Sequence, residues 1–319
     1  MYLLLVYLSL AAAGSAASDE WQLRMAEGQR LRYAGRHADA AESFRQAVRL
    51  IERSSPGSVR LAAALNSLAL EYDTLARYPD AEANYRRALS ILEHSAAKDN
   101  TDYALTLANL GGLYASTGKV ARGERMLAEA IALFDPGSVD AATCRNMLAQ
   151  SMLRARRLDE AELLLQQARL TLETKPIPDL GGLAAVLNNL GMLHRFQGGH
   201  QEAILFMQQS LARVEAEFGP DHPLMARALN NVAAEYITAG RRDDADAAYG
   251  RAAVIAERAL GPDHPMLGTV LGNYANLLRD TGRKAESKRL AAQSREIMRE
   301  SARRNGEGMT IDATVVAAQ

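Results

Sequence analysis

Two histidines occupy identical surroundings in this chain and are its first candidates for chemistry. The pentapeptide Gly-Pro-Asp-His-Pro begins at Gly219 and again at Gly261, so His222 and His264 are related by a copy of the sequence. Histidines that share a metal ion must each place a nitrogen about 2 Å from it. Equivalent atoms of two stacked helical hairpins lie roughly 10 Å apart, because a helix is that wide. If the copies are stacked hairpins, these histidines cannot share an ion, and we expect no metal site.

The pentapeptide is better explained as a connector between helices. A glycine such as Gly219 ends a helix in the left-handed conformation, and Pro220 prevents its continuation. Asp221 or His222 can then cap the next helix, with Pro223 at its first position, where the missing N–H does no harm. Weaker versions of the arrangement occur at Pro56, Pro136 and Pro178.

Signatures of catalysis and of cofactor binding are missing from the sequence. It contains no glycine-rich phosphate loop, no His-Glu-x-x-His and no Gly-x-Ser-x-Gly. His194 falls in a column of core residues, and the single cysteine, Cys144, is interpreted as a small buried side chain. A formal net charge of −1 gives no overall basic field to attract nucleic acid. We therefore expect no enzyme activity, no cofactor and no nucleic-acid partner.

The elements that would position a site recur along the chain. Six short sequences resemble the turn Gly-Arg-Arg-Asp-Asp-Ala at Gly240, and the seven successive turns are 41, 42, 38, 42, 42 and 42 residues apart. They begin at Gly35, Ala76, Gly118, Arg156, Gly198, Gly240 and Gly282. A period of this length is typical of solenoids built from one supersecondary unit.

Residues at fixed distances from these turns indicate two helices in each unit. The position five residues after each turn is always small, which suits helix backbones that approach closely. It holds Ala40, Ala81, Gly123, Ala161, Ala203, Ala245 and Ser287. Large residues recur at i, i+3 and i+4 on both sides of the turn, the pattern of amphipathic helices. Each unit is predicted to be a helical hairpin. Repeat four is shortened and has Arg145 in an apolar column, which would fit either a kink or a local break in stacking.

These columns resemble the tetratricopeptide repeat. The 42-residue period and the Gly-Pro-Asp-His-Pro motif are similar to the longer repeats of kinesin light chains and their bacterial relatives. The resemblance runs from about Asp19 to about Arg304. It implies an all-α fold, a right-handed superhelical solenoid of about seven helix-turn-helix repeats whose first helices line the concave side. It also implies that a protein or peptide ligand lies in that concave groove.

Asparagines recur on the predicted concave side. One set stands nine residues before the turns: Asn109, Asn189, Asn231 and Asn273. A second set stands one residue earlier: Asn66, Asn146, Asn188 and Asn230. The family resemblance implies that the first set captures a peptide backbone or carboxylate, since a side-chain amide both donates and accepts. The alternative is that the amides bond neighbouring helices and stabilise the stack, and both roles are open at this point.

Arginines outnumber carboxylates at the other predicted groove positions. These positions hold Arg32, Arg154, Arg195, Arg227 and Arg279 against Asp73 and Asp280. Because arginine pairs bidentately with carboxylates, the groove is predicted to prefer acidic or C-terminal segments, with Arg195 and Arg227 as contacts. No lysine occupies these positions, so the full lysine and asparagine set of a carboxylate clamp is absent.

Both ends of the chain depart from the repeat. Residues 1–17 combine an apolar run from Tyr2 to Ala13 with small residues suited to cleavage after Ala17, which is typical of a secretory signal peptide. An uncleaved anchor is the alternative, although the run is shorter than the ~20 residues of a spanning helix. Residues 18–304 form the predicted solenoid and residues 305–319 a flexible tail. We expect an exported protein, periplasmic or secreted, with a membrane-anchored one as second choice.

The predicted function is that of a non-catalytic scaffold that binds a protein or peptide. One alternative is a scaffold that self-associates through its terminal repeats, as in an envelope assembly. Another is an enzyme or regulatory subunit with an unrecognised site. A closed cavity lined by His194 or His200 with carboxylates would favour the enzyme.

Overall fold

The computed structural model describes residues 16–95, 101–175 and 179–305, and within these ranges every regular element is an α-helix. The first six are α1 (Ala16–Tyr33), α2 (His37–Ser54), α3 (Val59–Thr74), α4 (Tyr78–Glu93), α5 (Thr101–Ser116) and α6 (Val120–Leu133). The next four are α7 (Val139–Arg154), α8 (Leu158–Glu173), α9 (Leu180–Phe196) and α10 (His200–Phe218). The last four are α11 (Pro223–Thr238), α12 (Arg242–Leu260), α13 (Pro265–Asp280) and α14 (Lys284–Asn305). The predicted all-α repeat fold is confirmed.

Consecutive helices form hairpins that stack in chain order. Each odd-numbered helix packs against the even-numbered helix that follows it, and each even-numbered helix packs against the next odd one. The residue that begins each predicted turn has a positive φ, and where it is glycine the angle lies between 71° at Gly35 and 92° at Gly118. Ala76 and Arg156 adopt this conformation without being glycine, at 54° and 59°. This conformation costs a residue with a β-carbon roughly 1–2 kcal/mol. The packing of the flanking helices must therefore compensate for that cost at these two turns.

The small residues after each turn lie where the two helices of a hairpin touch. Ala40, Ala81 and Ala161 are completely buried. A β-carbon built on Gly123 of α6 would lie 2.4 Å from the backbone nitrogen of Ala115 on α5, far inside contact distance. The close approach of the helices therefore depends on the absence of larger side chains at these positions.

The buried core continues through repeat four. One cluster of buried residues extends from α1 to α9, and a second extends from α9 to α14. Repeat four lies inside the first cluster, so its shortened period does not break the stack, and a kink there stays a prediction. Arg145 does not interrupt the core, because its guanidinium donates outward to the carbonyl of Pro136 at 2.9 Å.

The repeated pentapeptide acts as a connector, as predicted. His222 and His264, rather than Asp221, cap the helices that follow, and each Nδ1 accepts the backbone N–H two residues ahead, at 3.3 and 3.1 Å. Gly219 differs from the prediction, because a φ of 86° with a ψ of 171° is not the left-handed helical conformation. Glycine alone adopts that backbone conformation easily, so the connector still requires it.

The superhelix is wound tightly enough for its two ends to meet. The connector before the sixth repeat lies against the turn of the first repeat, beside Gly35. The connector before the seventh lies against the second repeat, where His264 Nε2 donates to the Thr74 carbonyl at 2.8 Å. α14 then ends against α4, and the Asn305 side chain accepts the Tyr78 amide proton at 3.1 Å. We call this contact between the first two and the last two repeats the seam.

Candidate ligand-binding groove

The candidate site is the face of the odd-numbered helices that the even-numbered helices leave uncovered. On α3 this face carries Asn66 and Asp73, and on α11 it carries Arg227 and Asn231, at helical spacing. These side chains are half-buried although no helix lies over them. Partial burial of this kind is expected for residues that line a narrow concave space, which we call the lumen.

The predicted asparagines bond to one another across repeats. Each member of the first set donates its Nδ2 to the Oδ1 of a second-set asparagine in the preceding repeat, at 2.9 or 3.0 Å. The pairs are Asn109 with Asn66, Asn189 with Asn146, Asn231 with Asn188, and Asn273 with Asn230. We call these four bonds the ladder. They give the amides a role in the stack, and contact with a ligand stays a prediction.

Two of the predicted arginines are held by buried glutamates in matching positions. Glu235, 1% exposed, is bonded to His200 Nδ1 at 2.9 Å and lies 3.5 Å from Arg195 Nε. Glu71 holds Arg32 and a histidine of α2 in the same way between the first two repeats. Burial lowers the pKa of the Arg195 guanidinium, although the charge of Glu235 acts in the opposite direction. The charge of Arg195 is thus largely compensated by the protein itself.

Two further predicted arginines also have partners. Arg154 donates to the Ala115 carbonyl at 3.2 Å, and Arg279 donates to the Asp280 carboxylate at 3.2 Å. The sequence counted all five arginines alike as groove charges. Because four of them contact carboxylates or carbonyls of the chain, the positive excess available to a ligand is smaller than predicted.

Arg227 differs from these four. Within the described ranges no side chain or carbonyl bonds to its guanidinium. Burial lowers the pKa of Arg227, as expected for a cation that has lost water without gaining a carboxylate. A cavity of about 40 Å³, which has room for ordered water, lies beside it and is lined in part by Asn188 and Ser210. An uncompensated cation is therefore presented to whatever fills the lumen.

Asp73 is an uncompensated group of the opposite sign. Its carboxylate has no polar partner among residues 16–95, 101–175 and 179–305, and burial raises its pKa to about 7. The hydroxyls of Tyr78 and Tyr85 are buried without a hydrogen bond in the same described part of the chain. Burial and the charge of Asp73 both raise the pKa of these two phenols. The carboxylate and the two hydroxyls thus form a second polar region, close to the seam.

His194, His200 and Cys144 each have a structural environment of their own. His194 stacks on Phe206 with 5.1 Å between ring centroids, and His200 is bonded to a buried glutamate. Neither histidine lines the cavity beside Arg227 or the cleft of about 580 Å³ between α4, α5 and α6. Cys144 is buried as predicted, and burial raises its pKa to about 12. No group of three metal-ligating side chains occurs in the described ranges. The chemistry that the lumen offers is hydrogen bonding and charge.

Sequence reasoning missed a second periodic set of contacts. An acidic residue six positions after one turn pairs with the basic residue one position after the next turn. The pairs are Glu82 with Lys119, Glu124 with Arg157, and Asp246 with Arg283. The equal offsets of these residues from the turns are visible in the sequence. They identify which residues pair only when the order in which the repeats stack is known.

A family match covers most of the repeats. The sequence model of the tetratricopeptide repeat matches residues 28–94, 182–253 and 236–300. No curated protein matches the chain in sequence. None of the described helices is long and apolar enough to cross a membrane.

Solved structures with this fold differ widely in sequence. A Rap protein complexed with Competence and Sporulation Factor is 15% identical, with a TM-score of 0.58 over 90% of this chain and 92% of that chain. The human IFIT1 dimer with PPP-AAAA is 14% identical, with a TM-score of 0.63 over 89% of this chain and 62% of that chain. Putative kinesin light chain repeats of Podosopora anserina are 20% identical, with a TM-score of 0.46 over 62% of this chain and 96% of that chain. At such identities the likeness to the Rap protein and to IFIT1 shows the fold alone.

The repeat spacing, the stacked hairpins and the sequence match agree with one another. Proteins built from these repeats are generally scaffolds for protein interaction and generally non-catalytic. The chain belongs to the tetratricopeptide repeat family.

Proposed function

We propose that this protein is a non-catalytic scaffold that binds an extended segment of a protein or peptide in its lumen. The observation that carries the proposal is Arg227, an unpaired guanidinium on the inner face of the stack. A buried cation without a partner costs free energy in the ligand-free protein, and an anionic ligand recovers that cost. The Rap protein complexed with Competence and Sporulation Factor supports the idea that this fold can hold a ligand.

The shape of the lumen favours an extended ligand over a folded one. The seam joins the first two repeats to the last two, which closes one side of the lumen to a folded domain. The ladder suits a peptide backbone, because each donor asparagine has two side-chain N–H groups. One of them donates to the neighbouring asparagine, which leaves the other for a carbonyl of the ligand. The proposed contacts are Asn109, Asn189, Asn231, Asn273, Arg195 and Arg227.

The ligand is proposed to carry a carboxylate, either an acidic side chain or its own C-terminus. The guanidinium fork of Arg227 matches a carboxylate in two parallel hydrogen bonds. Arg195 is the weaker contact, because Glu235 already compensates its charge. A ligand anion is therefore expected to bind near α11 first.

Charge reversal at Arg227 is expected to reduce partner capture at least about tenfold, since a hydrogen bond to a charged group contributes roughly 1.5–3 kcal/mol. Residues 18–319 serve as immobilised bait for an extract of the source cell, and Arg227→Glu is compared with the native sequence. Arg299→Glu is the matched control, because that arginine lies on α14, is exposed and is paired with Glu296. Equal recovery from native bait and Arg227→Glu, or equal loss in both variants, would argue against the proposal.

We also propose that the protein is exported. The apolar run that supports this lies in residues 1–15, outside the described residues, and α1 begins at Ala16, where the predicted cleavage site lies. The tail at residues 306–319 also lies outside them. The N-terminal sequence of the mature protein decides between cleavage and anchoring.

Self-association is a second candidate, and exposed apolar side chains favour it. Leu163 and Leu170 on α8 and Leu205 on α10 are 61%, 65% and 54% exposed. Clustered apolar surface of this kind marks association sites. Exposed apolar side chains also occur on the terminal repeat that the sequence suggested, at Leu23 and Tyr33 of α1. Light scattering distinguishes the two candidates, because a monomer at high concentration disfavours this one.

A further inference from the structure

The seam is built from uncharged histidines. Nδ1 of His264 accepts the Met266 amide proton at 3.1 Å, so Nε2 carries the proton that it donates to the Thr74 carbonyl at 2.8 Å. His222 caps α11 through its Nδ1, and its ring stacks on Phe218 with 4.5 Å between centroids. Both histidines are buried. A proton added to either Nδ1 would point at the N–H that it now accepts, so the capping bond would be lost.

The positive groups around the seam also oppose a charge on these histidines. Burial and the neighbouring His37 of α2 lower the pKa of His222 to about 4. Burial, His37 and Arg304 of α14 lower the pKa of His264 to about 4, although its bond to the Thr74 carbonyl acts in the opposite direction. The closed seam therefore keeps both rings neutral.

The negative groups near the seam do not compensate for this. Glu71 of α3 is held by Arg32 and by the histidine of α2. Glu217 of α10 accepts a hydrogen bond from the Tyr33 hydroxyl at 3.2 Å. Asp73 of α3 has no partner in the described ranges, but its pKa is raised, so it is partly protonated near neutral pH.

We propose that the seam is an acid-sensitive latch, in which protonation of His222 and His264 releases the last two repeats from the first two and opens the side of the lumen. A second observation places the hinge. The first buried cluster ends at α9 and the second begins there and includes α10, so the helices from α10 to α14 have a core of their own that can move as one body. The latch is independent of which ligand the lumen takes.

Acid opens this latch because the open state binds more protons. A solvated histidine titrates near pH 6.5, whereas these two titrate near 4 in the closed seam. The stabilisation of the closed state is fully present above about pH 6.5 and is lost as the pH falls toward about 4. Between about pH 7 and about pH 5, each histidine lowers the ratio of closed to open protein by about 20-fold.

Asp73 acts in the opposite direction. Its pKa is raised to about 7 by burial, so the closed state favours its protonated form and acid strengthens closure to the extent that opening hydrates it. Full hydration would strengthen closure by about 50-fold between about pH 7 and about pH 5, against about 400-fold weakening by the two histidines together, so acid still opens the latch. Asp73→Asn removes this effect without adding a charge. The latch of that variant is expected to open at a higher pH than the native latch.

Spin labels on the two sides of the seam test the latch in the full chain. Cysteines replace Asp39 on α2 and Asp221 in the connector before α11, both exposed, and pulsed electron resonance measures the label separation at neutral and acidic pH. Native Cys144 stays unlabelled because it is buried. A control pair at Arg125 and Leu163 lies within repeats three and four, away from the seam.

One short separation is expected at about pH 7.5 and an added longer one, held by a growing share of the molecules, at about pH 5, with the control pair unchanged. The double variant His222→Asn, His264→Asn keeps an oxygen that caps each helix but does not titrate, so its label separation is expected to be the same at both pH values. Three results would overturn the latch: identical native separations at both pH values, an acid shift that persists in the double variant, or an equal shift of the control pair.

Discussion

Replacement of Glu235 by alanine is expected to lower the free energy of unfolding by about 3–5 kcal/mol, the amount typical of a broken buried ion pair. Glu235 is 1% exposed and holds Arg195 and His200 between the fifth and sixth repeats. Without its carboxylate, the guanidinium of Arg195 stays buried while its charge loses that compensation. The penalty falls on the folded state alone, because both groups are solvated in the unfolded chain. Denaturant unfolding followed by circular dichroism measures it.

Asp244→Ala is the matched control for this prediction. It removes an ion pair in which Asp244 Oδ2 lies 2.7 Å from Arg241 Nε, but both side chains of that pair are about half exposed. Exposed pairs contribute about 0–1 kcal/mol, so the control is expected to unfold nearly like the native protein. If Glu235→Ala costs no more than Asp244→Ala, the buried glutamates do not hold the repeats together in the way the structure indicates.

Alanine at Asn231 or Asn273 is expected to cost about 1–3 kcal/mol of unfolding free energy at each position. Each change removes the donor to Asn188 or Asn230, whose side chains are 5% and 2% exposed. A carbonyl oxygen is then left buried without the ladder bond, which is what makes the change costly. Because Asn231 also accepts a bond from Asn230 at 3.3 Å, the two changes lie in one network and are not expected to add.

Asn276→Ala provides the comparison for the ladder, since that side chain lies on α13 as well but is exposed. It is expected to leave stability within about 0.5 kcal/mol of the native value. The same denaturation series decides between the two roles of the ladder. If the ladder variants are as stable as Asn276→Ala, the asparagines do not stabilise the stack. If those variants then lose only partner capture, the role of the asparagines is to contact the ligand.

Local features of this fold follow closely from the sequence. The turn spacing predicts the hairpins, and the small residues at positions such as Gly123 predict where helices touch, because both depend on residues within one unit. The positive φ at Ala76 shows that the register is inferred more reliably from the whole column than from glycine alone. Arg145 and the shortened period of repeat four allowed a break in stacking, and the continuous core shows that the stack is not broken there.

The seam could not have been predicted from the same patterns. Its position depends on the small rotation between successive repeats summed around the superhelix, and no residue within one unit encodes that sum. The sequence did contain a clue. Gly-Pro-Asp-His-Pro occurs before the sixth and seventh repeats, and these are the connectors that meet the first two repeats. The pentapeptide caps a helix in both places, and at His264 it also bonds across the seam.

The candidate site was predicted only in part. Sequence columns identified which asparagines and arginines belong to the inner face, because that face has helical periodicity. They did not identify partners from neighbouring repeats, so Arg195 and Arg227 looked equivalent. Glu235 compensates the first and leaves the second unpaired, a difference that depends on which side chains meet after stacking.

Photo-crosslinking tests most directly the central claim, that a partner lies in the lumen. Benzoylphenylalanine replaces Leu70 or Ala234 on the inner face, or Leu163 on the outer face as the comparison. The account predicts that the captured partner crosslinks from both inner positions, not from Leu163, and that these crosslinks disappear when Arg227 is changed to glutamate. Crosslinks from Leu163 with none from the inner positions would contradict it.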